Sequence, residues 1–261
     1  MNLAIKAWHY PNVLGIDAAV IAVVWQILVA IEQGVSLSYS AHWVLGLSVW
    51  LTYMADRLYD VSKHDPQQLL SLRHSLAKRH RKTLWSFWFA VLSINAAIAF
   101  LGLDSQQLLN GFALLSACLT YTLLNQLLSK RFFPKEMLVA LIFAGGVIGF
   151  IDPLPNVSVF LIFAAACFLN CICIGQKEVA IDQALRVHSL AMKLNPWFTF
   201  SFSLISTLIC LWLNTTLAWG VAIVLTATSL LYFYKSRIET ECYRVLVDSS
   251  LLLGALPFAL S

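Results

Sequence analysis

The chain has 261 residues, of which 60% are hydrophobic, 13% aromatic and only 11% charged, with a mean hydropathy of +0.78. An ordinary soluble domain carries about a quarter charged residues, so this composition excludes one and reads as an integral membrane protein. The formal net charge of +4 fits attraction to anionic headgroups of membrane lipids rather than nucleic-acid binding, because the basic residues flank apolar runs.

A spanning helix needs roughly 20 mostly apolar residues. Windows of that size predict spans over residues 12–32, 42–59, 84–103, 107–128, 137–152, 157–174, 197–214, 216–234 and 245–260. The opening MNLAIKAWHY has no small-residue cleavage site behind a short apolar core, so the first span is expected to stay in the membrane. The fifth is short and holds Gly145 and Gly146, Pro153 and Pro155 close it, and Pro196 opens the seventh. No low-complexity linker interrupts the run. The expected fold is therefore all-α, a polytopic bundle of about nine helices forming a single domain over residues 1–261.

Charge fixes an orientation. All 17 Lys and Arg residues fall on one side of this scheme: Lys6, the stretch from Arg57 to Lys82, Lys130 to Lys135, Lys177 to Lys193, and Lys235 to Arg244. By the positive-inside rule the N-terminus and these loops face the cytoplasm, the short loops at Ser38, Asp104, Pro155 and Thr215 face outward, and the C-terminus lies outside. The cysteines lie in spans or at the basic end, and Cys171 and Cys173 point to different sides of a helix, which argues against a thiolate metal site.

Two acidic pairs stand where spans meet the basic loops. Asp56 and Asp60 end the second span, and Glu178 and Asp182 follow the sixth. A spacing of four places both carboxylates of a pair on one helix face, and ionisable groups at membrane depth mark functional sites by default. A structural reading competes: Asp56 with Arg57, Asp60 with Lys63 or His64, and Glu178 and Asp182 with Lys177 and Arg186 as local ion pairs. Asp248, four residues after Arg244, reads first as its ion-pair partner, and Asp17 in the first span has no evident partner. His42, His188 and the scattered Trp residues read as interfacial, and Asn95, Asn125 and Asn170 as interhelical hydrogen-bonders.

Both pairs end a span and precede a long basic loop, as in a parallel repeat that would bring them face to face. Opposed carboxylates at a lipid–water rim suit a diphosphate, whose Mg²⁺ is held by one or two carboxylates together with phosphate oxygens and water. The metal would stabilise the leaving diphosphate, and the apolar helices would shield an allylic cation from water.

These residues resemble the UbiA-type intramembrane prenyltransferases, whose pattern is Asn-Asp-x-x-Asp-x-x-x-Asp after the second of nine helices and an Asp-x-x-x-Asp-like motif after the sixth. Thr52-Tyr53-Met54-Ala55-Asp56-Arg57-Leu58-Tyr59-Asp60 overlays the first motif with Thr52 for its Asn and Tyr53 for its first Asp, and Glu178 and Asp182 overlay the second with Glu for the first acid. The stretch YTLLNQLLSKRFFPKE, residues 121–136, resembles the family's segment between helices four and five. The resemblance implies a cytosol-facing cavity in which Asp56, Asp60, Glu178 and Asp182 bind Mg²⁺. It implies Arg57, Lys130 and Arg131 as diphosphate contacts, with the Thr52 hydroxyl beside them. The partners it implies are a prenyl diphosphate and a lipophilic acceptor. Tyr53 is no substitute for a carboxylate ligand at neutral pH, its phenol ionising near 10.

The competing classes are a transporter and a non-catalytic lipid-binding protein. Carriers place charges near the midplane on broken helices, whereas these acids gather at one rim. A CDP-alcohol phosphotransferase would need an Asp-Gly-x-x-Ala-Arg run, which this sequence lacks. The spans themselves exclude a soluble terpene synthase.

Overall fold

The computed structural model describes residues 6–63, 71–128, 134–184 and 188–260, and within them every regular element is helical. In chain order these are α1 (Tyr10–Val13), α2 (Ile16–Glu32), α3 (Tyr39–Lys63), α4 (Leu72–Arg79), α5 (Arg81–Gly102), α6 (Ser105–Leu128), α7 (Lys135–Ile148), α8 (Val157–Lys177), α9 (Val179–Ala184), α10 (Pro196–Leu213), α11 (Thr216–Phe233), α12 (Thr240–Ser250) and α13 (Leu256–Leu260). Helices satisfy their own backbone groups, which is what a chain this apolar requires in lipid.

Each of the nine expected segments is largely helical, but among the described residues six helices are long and apolar enough to cross a membrane, or seven if the bent pair before Glu32 is one span. Three segments account for the difference. The α7 helix has 14 residues, α3 is long but carries Asp56, Arg57, Asp60 and Lys63 within the helix, and α1 and α2 meet at a 71° bend.

That bend has a local cause. Gly15 sits at φ +70, a left-handed conformation open to glycine, and breaks the helix. The last carbonyls around the end of α1 are bonded from α3: Arg57 donates to Val13 O and, at 3.0 Å, to Asn12 O, which also accepts from Gly15 N, while Trp50 Nε1 donates to Leu14 O at 3.0 Å. Arg57 is thus buried as a strut between the first two spans.

The core lies among α2, α3, α7, α8, α11 and α12. At its centre Trp25 is fully buried against Phe163, ring centroids 4.4 Å apart, and donates Nε1 to Leu251 O at 3.0 Å. That carbonyl lies in a 3₁₀ turn, Leu251–Ala255, linking α12 to α13 just before Pro257, which has no N–H for the preceding turn. The same turn crosses α11 at contact distance. A Cβ on Gly220 would stand 2.4 Å from Gly254 O, and one on Gly254 would stand 2.4 Å from the Trp25 ring, so only glycines allow this crossing. By contrast α5 packs on α3 and α6 touches α7, where Gln107 and Asn110 donate to Phe150 O and Gly149 O at 3.1 and 2.8 Å. Most of α6 is exposed and little of it is buried, as suits a lipid-facing helix.

Candidate active site

The α3 side of the site carries Thr52, Asp56 and Asp60 at successive four-residue steps. Thr52 is exposed and gives its hydroxyl to Ser48 O at 2.9 Å, one turn back on its own helix. Asp56 is exposed and makes no hydrogen bond or ion pair among the described residues. Its electrostatic neighbours are Asp60 and three groups from beyond α3, namely Arg73, His74 and Lys135. Asp60 faces His74, with Nε2 3.4 Å from Oδ2.

The α8–α9 side is built differently. The helix breaks at Glu178, which caps α8, and Asp182 follows in α9. Local ion pairs with Lys177 are not what these acids form. Glu178 is buried between Arg244 and Arg73, the latter at 3.1 Å. Arg244 also holds Glu241 at 2.9 Å, and Glu241 accepts from Leu72 N at 2.9 Å. Lys135 Nζ lies 3.0 Å from both oxygens of Asp182. Each described partner of Glu178 and Asp182 comes from another helix, which ties α4, α7, α8, α9 and α12 together at the basic end. Lys130, Arg131 and Arg186 lie outside the described residues.

The α4 helix is anchored over α3 by Lys78, which donates to Val61 O at 3.0 Å, and starts at Ser71, whose Oγ accepts from His74 N at 3.4 Å. Burial, reinforced by the Arg73 charge, pushes the His74 imidazole down to about 3, so it is neutral near pH 7. A carboxylate only accepts, so Nε2 carries the proton toward Asp60 and Nδ1 accepts from the Ser71 hydroxyl at 2.7 Å. The contact with Asp60 is a hydrogen bond, not an ion pair. Because the folded value lies below the ordinary one near 6.5, the unfolded chain binds the proton first. Stability from this site is complete above about pH 6.5 and falls by about 1.4 kcal/mol per pH unit down to about pH 3. Denaturation of the parent and of His74→Gln across pH 7 to 4 should show this slope in the parent alone; parallel curves would refute it.

Deeper along α3, Tyr53 has Asp17 and Asp248 among its electrostatic neighbours. Those two acids, from opposite ends of the chain, share the Asn12 amide at 2.6 and 2.7 Å, and Asn170 Nδ2 reaches the other oxygen of Asp248 at 3.3 Å. Asp248 therefore pairs with carboxamides rather than with Arg244. Glu136, in α7, is buried and accepts from Leu190 N and Ala191 N at 3.1 Å each, strapping down the second long basic loop.

The four motif acids do not form a common metal cage: among the described residues no three His, Cys, Asp or Glu side chains are grouped to hold a metal. The two sides differ in fit. Asp56 and Asp60 offer the one or two carboxylates that Mg²⁺ uses when phosphate oxygens and water complete its shell. Glu178 and Asp182 already have their oxygens on guanidinium and ammonium groups. Sequence reasoning found the acids but not Arg73, His74, Lys135, Glu241 or Arg244 as their partners; those residues appeared only as members of basic loops or local pairs.

No protein-family model and no curated protein matches the sequence. Among solved structures the chain is similar to the apo structure of a UbiA homolog from Aeropyrum pernix K1, with a TM-score of 0.63 at 14% identity over 92% of this chain and 98% of that one. The likeness is one of fold and runs nearly end to end: the chain is a helical membrane bundle with the UbiA fold.

Proposed function

We propose that this protein is a divergent UbiA-type prenyltransferase, which moves a prenyl group from a prenyl diphosphate to a lipophilic acceptor in the membrane. The observation that carries this reading is Asp56, an exposed carboxylate with no partner among the described residues, set beside Arg73 and Lys135 on a UbiA-like fold. A lone acid near hydrocarbon is costly unless function retains it.

In this reading the diphosphate and its Mg²⁺ dock on Asp56 and Asp60 at the basic end, while the prenyl chain lies among the apolar helices. Bound there, the metal supplies Lewis-acid stabilisation of charge on the leaving oxygens. The chain's own residues do the rest. Asp56 and Asp60 orient the headgroup, neutral His74 keeps Asp60 hydrogen-bonded without adding charge, and Arg73 and Lys135 meet the phosphate charge that grows as the C1–O bond breaks. The bonding pair leaves with the diphosphate, the allylic carbon takes an electron pair from the acceptor, and the acceptor loses a proton. The surrounding helices exclude the water that would otherwise capture the cation.

The basic end is proposed to face the cytoplasm, with the N-terminus inside and the C-terminus outside. Reporters fused at Ser38 and Asn156 should then read outside, and at Arg79 and Arg237 inside; a cytoplasmic signal at Ser38 would invert the orientation. The enzyme reading is tested by binding of geranylgeranyl diphosphate to the purified protein with and without Mg²⁺. Tyr53 in place of a motif acid favours one alternative, a lipid-binding relative without catalysis, and absence of diphosphate binding in either condition would establish it over the enzyme.

A further inference from the structure

Resting on the reading above, we infer that the α8–α9 side of the site takes no divalent cation: Glu178 and Asp182 are positioning residues that hold Arg73 and Lys135 as direct donors to the phosphates, and the diphosphate is bound with a single metal ion, on Asp56 and Asp60. The two sides of the site are not equivalent in charge. On the α8–α9 side three cations, Arg73, Arg244 and Lys135, meet three carboxylates, Glu178, Glu241 and Asp182, within ion-pair distance. That side is neutral as it stands, and a divalent ion entering it would have to displace a guanidinium or an ammonium group. Arg244 has nowhere to go, because it is 2% exposed and fixed between two acids; stripped of Glu178 it would be a buried charge short of a partner. On the α3 side two carboxylates, Asp56 and Asp60, stand one helical turn apart, and one divalent ion matches their charge.

Arg73 is also unsaturated as a donor. The Nε group of Arg73 is buried and has no hydrogen-bond partner among the described residues, an arrangement that costs stability unless an acceptor arrives. A phosphate oxygen is such an acceptor, and guanidinium groups match phosphate geometry. Arg73 and Lys135 reach Asp56 electrostatically from the far side, so a diphosphate held through the metal at Asp56 lies between the metal and these donors. Glu178 and Asp182 keep the cations extended toward that place.

The experiment counts metal with Mn²⁺ as the probe, by electron paramagnetic resonance of the purified full-length protein at saturating inorganic pyrophosphate. Lys135 is partly exposed and Asp182→Asn is close to isosteric, so neither substitution opens a core cavity and these variants complement Arg73→Gln. The expected result is about one Mn²⁺ per chain, retained in Asp182→Asn and lost in Asp56→Asn. Pyrophosphate affinity at fixed Mn²⁺ should fall about tenfold or more in Arg73→Gln and in Lys135→Gln, as loss of a charge-assisted bond predicts. Two or more Mn²⁺ in the parent, with one lost in Asp182→Asn, would overturn the inference and leave the prenyltransferase reading intact. Unchanged pyrophosphate affinity in both cation variants would overturn the donor role. A parent that binds pyrophosphate under no condition would instead remove the prenyl diphosphate reading, and this inference with it.

Discussion

Asp56→Ala is expected to lower turnover of a prenyl diphosphate by about 100-fold or more, the scale seen when one preorganised electrostatic contact to a transition state is removed. The fold should hardly notice. Asp56 is exposed and bonds to nothing among the described residues, so its truncation creates no cavity and strands no partner; exposed changes of this kind stay within about 0.5 kcal/mol. Removing it also relieves the repulsion between two acids four residues apart on α3. The measurement is release of diphosphate from geranylgeranyl diphosphate, paired with thermal melting of the same preparations. Undiminished turnover at unchanged melting would remove Asp56 from the chemistry and with it the proposed function; a large drop in melting temperature would show that the carboxylate serves the fold.

The contrast between Asp56 and the second acidic pair marks the limit of what the sequence makes legible. Hydropathy and charge segregation are local properties, so the apolar segments, the basic end and the placing of both acid pairs beside it could be read directly. Contacts that fix the role of each acid are not local. Glu178 meets Arg73 across 105 residues, Asp182 meets Lys135 across 47, and Leu72 N meets Glu241 across 169. In sequence, Arg73 is one more member of a basic loop, and Arg244 lies nearer to Asp248 than to Glu178. Distance along the chain misassigned both. Arg57 shows the same limit from the other direction: the Ala-Asp-Arg run pointed it at a diphosphate, whereas beside the break at Gly15 its guanidinium donates to carbonyls at the end of α1. The helix count was blurred for a related reason. Span-length windows measure hydropathy alone, and α3 is at once a helix of 25 residues and a carrier of Asp56, Arg57, Asp60 and Lys63.

The larger stability effect is expected at Arg244. Its guanidinium is 2% exposed and bridges Glu178 and Glu241, themselves 5% and 7% exposed. Arg244→Met keeps much of the side chain's apolar length but, among the described residues, leaves Glu178 with Arg73 alone and Glu241 with only the Leu72 amide. Breaking a buried pair from one side costs about 3–5 kcal/mol, because the remaining charge has lost both solvent and counterion. The loss should show as a lower melting temperature in detergent or lipid. It should be partly recovered in Arg244→Met combined with Glu241→Gln, since the second change removes one of the charges left behind and residues in one network do not act additively. Turnover should fall as well, because Arg244 ties α12 to α8 and, through Glu241, to the start of α4, which carries Arg73 and His74 to the site. Equal melting of the parent and Arg244→Met would mean that this network contributes nothing to holding α4 over Asp60. A double variant no more stable than the single one would mean that the cost arises from packing around the side chain rather than from the charges it leaves behind.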